Sequence, residues 1–252
     1  MKSETKTPEA VAAGIFEKMG IAPDMFAANI DGLSVAGGVV RYGSVDAVPE
    51  LTDFQKTRLG KITCSNFHRI TYARGTDQWS DTAESYLAEL VFEHDTGTPA
   101  SRFSGSAATE WGNEHEETAI QEYEKATGQK VIRQQFCKLA GFRLVGGTPD
   151  AVGKKGLEVK CPYNPKNHYW TLQRRTIPKE YEIQVIGHIL LTGRKACDFV
   201  SFNPRSSNPH TRMVIIEKQR DEHEIEALTD KLFHFEETLF ERLRLLEIEP
   251  RF

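Results

Sequence analysis

The chain has 252 residues, 39% hydrophobic and 27% charged, with 19 Gly and 11 Pro. That composition excludes collagen-like, coiled-coil, disulfide-dense and wholly disordered chains, and the length suffices to bury roughly 70–75% of the unfolded surface. The formal charge of −4 weighs against a protein that binds nucleic acid over its whole surface, and no stretch approaches the ~20 apolar residues of a membrane helix.

In chain order, residues 8–19 begin with Pro8 and suit a short helix; the Gly- and Val-rich stretch Ile30–Val48 follows and belongs to no clear class. Residues 1–50 are therefore expected to form an N-terminal helix and extension ahead of one domain spanning 51–252. The N-terminus lacks the apolar core and cleavage site of a signal peptide, so a cytoplasmic protein is expected. Short helical patterns cover Leu51–Gly60, Ser65–Ala73 and Asp81–His94, with Asp81 as a suitable N-cap. A longer helix over Thr109–Thr127 is closed by Gly128.

Strand patterns follow at Lys130–Leu139, Phe142–Val145, Pro149–Val152 and Leu157–Cys161. Helices over Pro165–Thr176 and Pro178–Thr192 each begin with a proline suited to a first turn. Strands at Ala196–Asn203 and Arg212–Lys218 precede a long helix over Asp221–Leu246. The order implies an α/β (α+β) fold with a mixed sheet flanked by helices.

Charge is unevenly distributed. From Lys130 to Arg175 ten basic residues face only Asp150 and Glu158, while acid gathers in Glu110–Glu124 and beyond Glu217. Solvated strand edges explain such a run as well as a nucleic-acid partner does. The four cysteines, Cys64, Cys137, Cys161 and Cys197, fit neither a zinc ribbon nor a disulfide framework, so they read as reduced thiols. None of the eight histidines has a partner at His-x-x-x-His spacing, which weakens a zinc-hydrolase reading.

Two breaks in the apolar pattern carry the chemistry. On the Thr109–Thr127 helix, Glu116 shares a stripe with Ala119, Ile120 and Tyr123, where a carboxylate must pair with a cation or bind a metal. It either lies at the stripe's edge beside an arginine or serves as a ligand. In Leu157-Glu-Val-Lys-Cys161, strand alternation puts Glu158 and Lys160 on one side. The turn Gly153-Lys-Lys-Gly156 then folds Asp150 back beside Glu158. Two carboxylates and one ammonium suit divalent-metal phosphodiester hydrolysis, because Mg²⁺ and Mn²⁺ prefer hard oxygen ligands.

The runs Gly147-Thr-Pro-Asp150 and Gly156-Leu-Glu-Val-Lys-Cys-Pro162 resemble the PD-(D/E)XK nuclease signature, in the version carried by lambda exonuclease and the YqaJ-type viral recombinases. The likeness extends to Arg58–Ser65, to Trp111–Glu116 with Ala119, to Gln184 and to Asn203-Pro-Arg205, and spans about Leu51–Leu246. It implies a restriction-endonuclease-like core. Asp150, Glu158, Glu116 and the Val159 carbonyl become metal ligands for two Mg²⁺ ions, with Mn²⁺ as substitute. Lys160 becomes the group that positions attacking water, and Gln184, otherwise a plain core amide, lines the site. Arg58, Ser65 and Thr148 become a pocket for a DNA 5′-phosphate, with Thr148 standing where a member of the family carries Ser.

The resemblance further implies a processive 5′-to-3′ exonuclease on linear double-stranded DNA ends. Such an enzyme leaves 3′ single-stranded overhangs for recombination by single-strand annealing. It also implies a homotrimeric ring and an annealing-protein partner. The alternatives are a PD-(D/E)XK endonuclease and a non-catalytic DNA-end-binding protein; the cysteine spacing disfavours an iron–sulfur nuclease.

Overall fold

A computed structural model describes residues 33–36, 39–42, 51–100 and 106–252. The helix expected over 8–19 lies outside the described residues. Within the unassigned stretch Ile30–Val48, strands β1 (Leu33–Ala36) and β2 (Val39–Tyr42) pair antiparallel, Leu33 opposite Tyr42.

Helix α1 (Asp53–Arg58) carries a capping box, in which Thr52 and Gln55 each satisfy the other's free backbone N–H. Strand β3 (Ile62–Thr63) leads into a 3₁₀ turn, Cys64–Arg69. The helix expected over Ser65–Ala73 is thus shorter and tighter: the chain leaves the turn to form a bridge between Tyr72 and Trp79, whose rings stack at 4.5 Å. Helix α2 spans Asp81–Thr96. Its cap is Ser80, whose hydroxyl accepts from the Ala83 N–H, so Asp81 sits inside the first turn rather than capping it. Helix α3 spans Ala107–Thr127 and ends, as expected, on left-handed Gly128.

The strand expected over Lys130–Leu139 is two strands, β4 (Ile132–Arg133) and β5 (Cys137–Lys138), that join different sheets. Strand β5 pairs antiparallel with β6 (Val145–Gly147), whose other edge pairs parallel with β3. Strand β4 pairs with β7 (Ala151–Val152) and extends the larger sheet. That sheet has the order β10-β9-β8-β7-β4, with β8 Gly156–Lys160, β9 Ala196–Phe202 and β10 Met213–Gln219. Only the β8–β9 pairing is parallel. It needs a crossover, which helices α4 (Pro165–Arg174) and α5 (Lys179–Thr192) supply. Pro178 caps α5 from outside instead of opening its first turn. A short helix absent from the expected elements, α6 (Pro209–Arg212), is capped by Asn208 and precedes β10. Helix α7 (Glu222–Leu245) is capped by Asp221.

The larger sheet is covered on both faces, which is why β9 is buried from end to end. Against one face α3 places Ala119, Ile120 and Tyr123 on Leu157, Val159, Val200 and Phe202. On the other, Phe199 joins Val185 and Ile189 of α5 and the Leu232, Phe235 and Leu239 stripe of α7. Gly187 lets α5 approach closely: a Cβ there would fall 2.8 Å from the Phe67 ring and 3.0 Å from Cys64 Sγ. All four cysteines are free, and Cys64, Cys161 and Cys197 are buried.

Candidate active site

Strands β7 and β8 form a hairpin in which Ala151 faces Leu157, so the preceding Asp150 lies beside Glu158. The turn closes with the Gly153 N–H donating to the Lys155 carbonyl at 2.8 Å. Asp150 Oδ2 accepts from the Val159 N–H at 2.6 Å, a bond that ties the first carboxylate to the strand carrying the second.

Glu158 has no exposed surface. Its register partner across β8–β9 is Phe199, so its side chain enters the face covered by α5, not an open one. There Oε1 accepts from Gln184 Nε2 at 2.7 Å and meets Lys160 Nζ at 2.5 Å. His188 Nδ1 lies 3.0 Å from Oε2 but is misdirected, and Oε2 is left buried without a hydrogen bond among the described residues. Tyr181, Gln184 and His188 stand at steps of three and four on α5, and Lys160 also sits 5.1 Å from the Tyr181 ring.

These charges polarise one another. Burial pushes Asp150 up, and the neighbouring Glu158 carboxylate pushes it further, to about 8. Burial would raise Glu158 too, but Lys160 and His188 outweigh it and hold that carboxyl at about 2. Lys160 loses hydration on burial, yet Glu158 and Asp150 hold its ammonium above the usual lysine range. The site therefore keeps one carboxylate firmly ionised beside a second whose ionisation awaits another cation.

Glu116 occupies the edge of its stripe: Ala119, Ile120 and Tyr123 are buried, while Glu116 is half-buried. Arg133 on β4 holds it at 2.7 Å, forks to Glu117 at 2.8 Å and donates to the Asp150 carbonyl at 3.3 Å. Among the described residues no three His, Cys, Asp or Glu side chains converge into a metal-holding group. The donors present nonetheless fit a hard divalent ion: they are oxygens, Oε2 of Glu158 accepts no hydrogen bond among the described residues, and Asp150 resists ionising without added positive charge. Arg133 supplies positive charge next to Glu116 in its place.

Arg58 donates from Nη2 to Ser65 Oγ at 2.7 Å, and Thr63 Oγ1 lies 3.2 Å from the same hydroxyl. Strand register brings Thr148 to this edge: Thr63 pairs with Gly146, so the chain after β3 runs beside the chain after β6. The Thr148 hydroxyl is buried without a hydrogen bond among the described residues. Burial lowers the Arg58 pKa.

The sequence singles out neither Arg133 nor His188. The i, i+4 spacing from Gln184 to His188 was the available signal for the latter. For Arg133 there was none, since only the β4–β7 pairing carries it to Asp150 and Glu116.

A family model described as the YqaJ-like viral recombinase domain matches residues 53–195. Among solved structures, the alkaline exonuclease LHK-Exo from Laribacter hongkongensis aligns with a TM-score of 0.70 at 26% identity, covering 77% of this chain and 95% of that one. The same enzyme in complex with dAMP aligns with a TM-score of 0.69 at 26% identity over the same shares. A phage-related exonuclease from Haemophilus somnus 129PT shares the fold, with a TM-score of 0.62 at 18% identity over 75% of this chain and 96% of that one. No curated protein sequence matches.

Proposed function

The chain belongs to the YqaJ-like viral recombinase family, a family of DNA exonucleases, and from that premise we propose a Mg²⁺-dependent 5′-to-3′ exonuclease of linear double-stranded DNA. The single observation that carries this reading is the half-buried Asp150 beside the buried Glu158, with Lys160 Nζ at 2.5 Å from Glu158.

In this reading Asp150, Glu158 and the Val159 carbonyl would hold two metal ions, and Glu116, paired here with Arg133, would be a further ligand. The ion, Mg²⁺ or Mn²⁺, supplies the positive charge that polarises the phosphate and acidifies water. Gln184 fixes the Glu158 carboxylate through its amide, which keeps the ligand oxygens aimed while substrate passes. Lys160, held protonated by the two carboxylates, orients the attacking water and neutralises charge that builds on the phosphate.

Arg58, Ser65 and Thr148 receive the 5′-phosphate of the strand being degraded. A guanidinium fork and two hydroxyls match phosphate oxygens, and the unpartnered Thr148 hydroxyl gains a hydrogen bond when the phosphate enters. The dAMP complex of LHK-Exo supports release of mononucleotides. Processive digestion leaves 3′ single-stranded overhangs, and a homotrimeric ring working with a single-strand annealing protein completes the proposal.

The test is digestion of end-labelled linear duplex carrying 5′-phosphate or 5′-hydroxyl termini, with and without Mg²⁺, beside a closed circle. Mg²⁺-dependent release from phosphorylated linear ends with the circle intact is the expected result. Cutting of the circle would replace the proposal with an endonuclease, and DNA binding with no cleavage would replace it with an end-binding protein. Asp150→Ala, Glu158→Ala and Lys160→Ala should each abolish release in a folded protein. Full activity in folded Glu158→Ala would sink the assignment.

A further inference from the structure

Helix α4 follows the strand of Glu158 and Lys160 after only a four-residue link. It is anchored narrowly. Of its ten residues only His168 and Thr171 are buried. His168 meets Ser201 Oγ at 2.9 Å and donates from Nε2 to the Thr211 carbonyl at 2.8 Å. Ser201 is the β9 register partner of Lys160, so the helix is pinned directly beside the candidate active site.

The remainder of α4 faces outward and carries rings. Trp170 is 55% exposed, Tyr169 45%, and Tyr163 in the link 51%. Large rings normally leave water, and three exposed within eight residues are not scattered singletons. Arg174 lies one turn beyond Trp170 with its guanidinium 5.4 Å from the ring centroid, and Arg205 is 5.6 Å from the Tyr163 ring. From Tyr163 to Lys179 the sequence has four basic residues and no acidic one. Between α4 and the start of α5 a hollow of about 340 Å³ is lined by Asn167, Trp170, Arg174, Pro178 and Lys179, among others.

Flat rings offered to solvent beside cations suit a ligand that alternates apolar planes with negative charge. A single-stranded nucleic acid has that chemistry, because each base has a face to stack and each link a phosphate. A duplex hides its base faces and would leave Trp170 and Tyr169 without a partner. We propose that Tyr163, Tyr169, Trp170 and Arg174 form a track for single-stranded DNA, with a base against Trp170 at the hollow. The proposal rests on the exonuclease reading above, since that reaction unpairs one strand next to Lys160. Holding the unpaired strand on α4 would keep it from re-annealing ahead of the site.

The test uses the full chain in EDTA, where no cleavage occurs, and follows fluorescence anisotropy of a labelled oligothymidylate. Trp170→Ala is expected to weaken binding about 5- to 150-fold, the range of one lost base–aromatic stack. Trp170→Phe, which keeps a ring, should restore most of it, and Arg174→Ala should lower the slope of log affinity against log salt by about 0.7. Circular dichroism and sedimentation accompany each variant. Unchanged affinity in folded Trp170→Ala, no binding by the unmodified chain, or a shift in oligomeric state as the sole effect of Trp170→Ala would each overturn the proposal, the last by making the face a subunit contact. Mg²⁺-dependent release from duplex ends is read separately. Release that persists while Trp170→Ala leaves oligonucleotide binding untouched removes the track and spares the nuclease; Trp170-dependent binding in a chain that cleaves nothing removes the nuclease and spares the track.

Discussion

Arg133 stands where positive charge is needed and a metal is expected. Its guanidinium pairs with Glu116 and Glu117 and reaches the Asp150 carbonyl, so a metal recruiting Glu116 must first separate that pair. Exposed ion pairs contribute about 0.2–1 kcal/mol, so Arg133→Gln should tighten Mn²⁺ binding by about 1.4- to fivefold. Calorimetric titration of Mn²⁺ into both proteins measures it; equal or weaker affinity in the variant would mean that Glu116 takes no part. Glu158 presents the opposite case. It is enclosed by Lys160, Gln184 and His188, and removing it would leave buried cationic and polar groups without their partner, at a cost of about 3–5 kcal/mol. Glu158→Gln is therefore the gentler companion to Glu158→Ala. It should retain more stability by thermal melting while remaining inactive on duplex ends.

At the scale of elements, the C-terminal end of α2 holds the loop after α1 and the end of the chain. Glu93 accepts from the Gly60 N–H at 2.7 Å and the Ala100 N–H at 3.2 Å. His94 donates from Nε2 to the Gly60 carbonyl and accepts on Nδ1 from the Arg251 N–H. A protonated imidazole would have no acceptor to offer Arg251, and Lys61 and Arg251 both disfavour its charge. Burial is the larger cause, and together they push His94 down to about 4. A depressed histidine contributes stability that is full above its unfolded value near 6.5 and is lost as pH falls toward 4, by about 3 kcal/mol at most. Burial raises Glu93 to about 7 despite its two backbone donors. Its contribution runs the other way, full below about 4.5 and lost as pH rises through 7. His94→Gln keeps the neutral donor and removes the titration, so its melting temperature should fall less between pH 7 and pH 5 than that of the unmodified chain. An equal fall in both would show that His94 does not govern acid stability.

For the whole molecule, the matched family segment ends at residue 195, but the core does not. Helix α7 buries Ile225, Leu228, Leu232, Phe235, Leu239 and Leu243. Its buried Glu236 accepts from the N–H groups of Arg143 and Leu144, at 3.0 and 2.6 Å, ahead of β6. Truncation after Gln219 should abolish cooperative unfolding, because it strips one wall of the core and orphans two backbone donors. A sharp thermal transition in the truncated chain would contradict this. The proposed ring makes a separate prediction: after heparin is added to trap free enzyme, digestion of a long duplex already begun should continue. Immediate arrest would exclude a topologically closed complex.

Much of this was legible in the sequence. The Asp150, Glu158, Lys160 trio rests on strand alternation and a four-residue turn, both local, and the hairpin brings the three together. The Gly128 stop of α3 was likewise written in a cap, and the long C-terminal helix differs from its expected span by one residue at each end. Local rules failed where the outcome depended on which neighbour a segment met. Lys130–Leu139 has one continuous strand pattern, yet its halves join different sheets because separate partners, β7 and β6, compete for its backbone bonds. Glu116 falls on an apolar stripe by periodicity, but the width of the contact with β8 and β9 is set by packing, and that leaves it at the margin facing Arg133. The sequence by itself determined the carboxylates, the lysine and the family, because residue type and short spacing survive without a fold. Tertiary structure decided that Glu158 is enclosed by α5, that Arg133 stands beside Glu116 and Asp150, and that the rings of α4 remain in water beside the candidate site. These outcomes depend on contacts between segments far apart in the chain, whose energies no local pattern encodes.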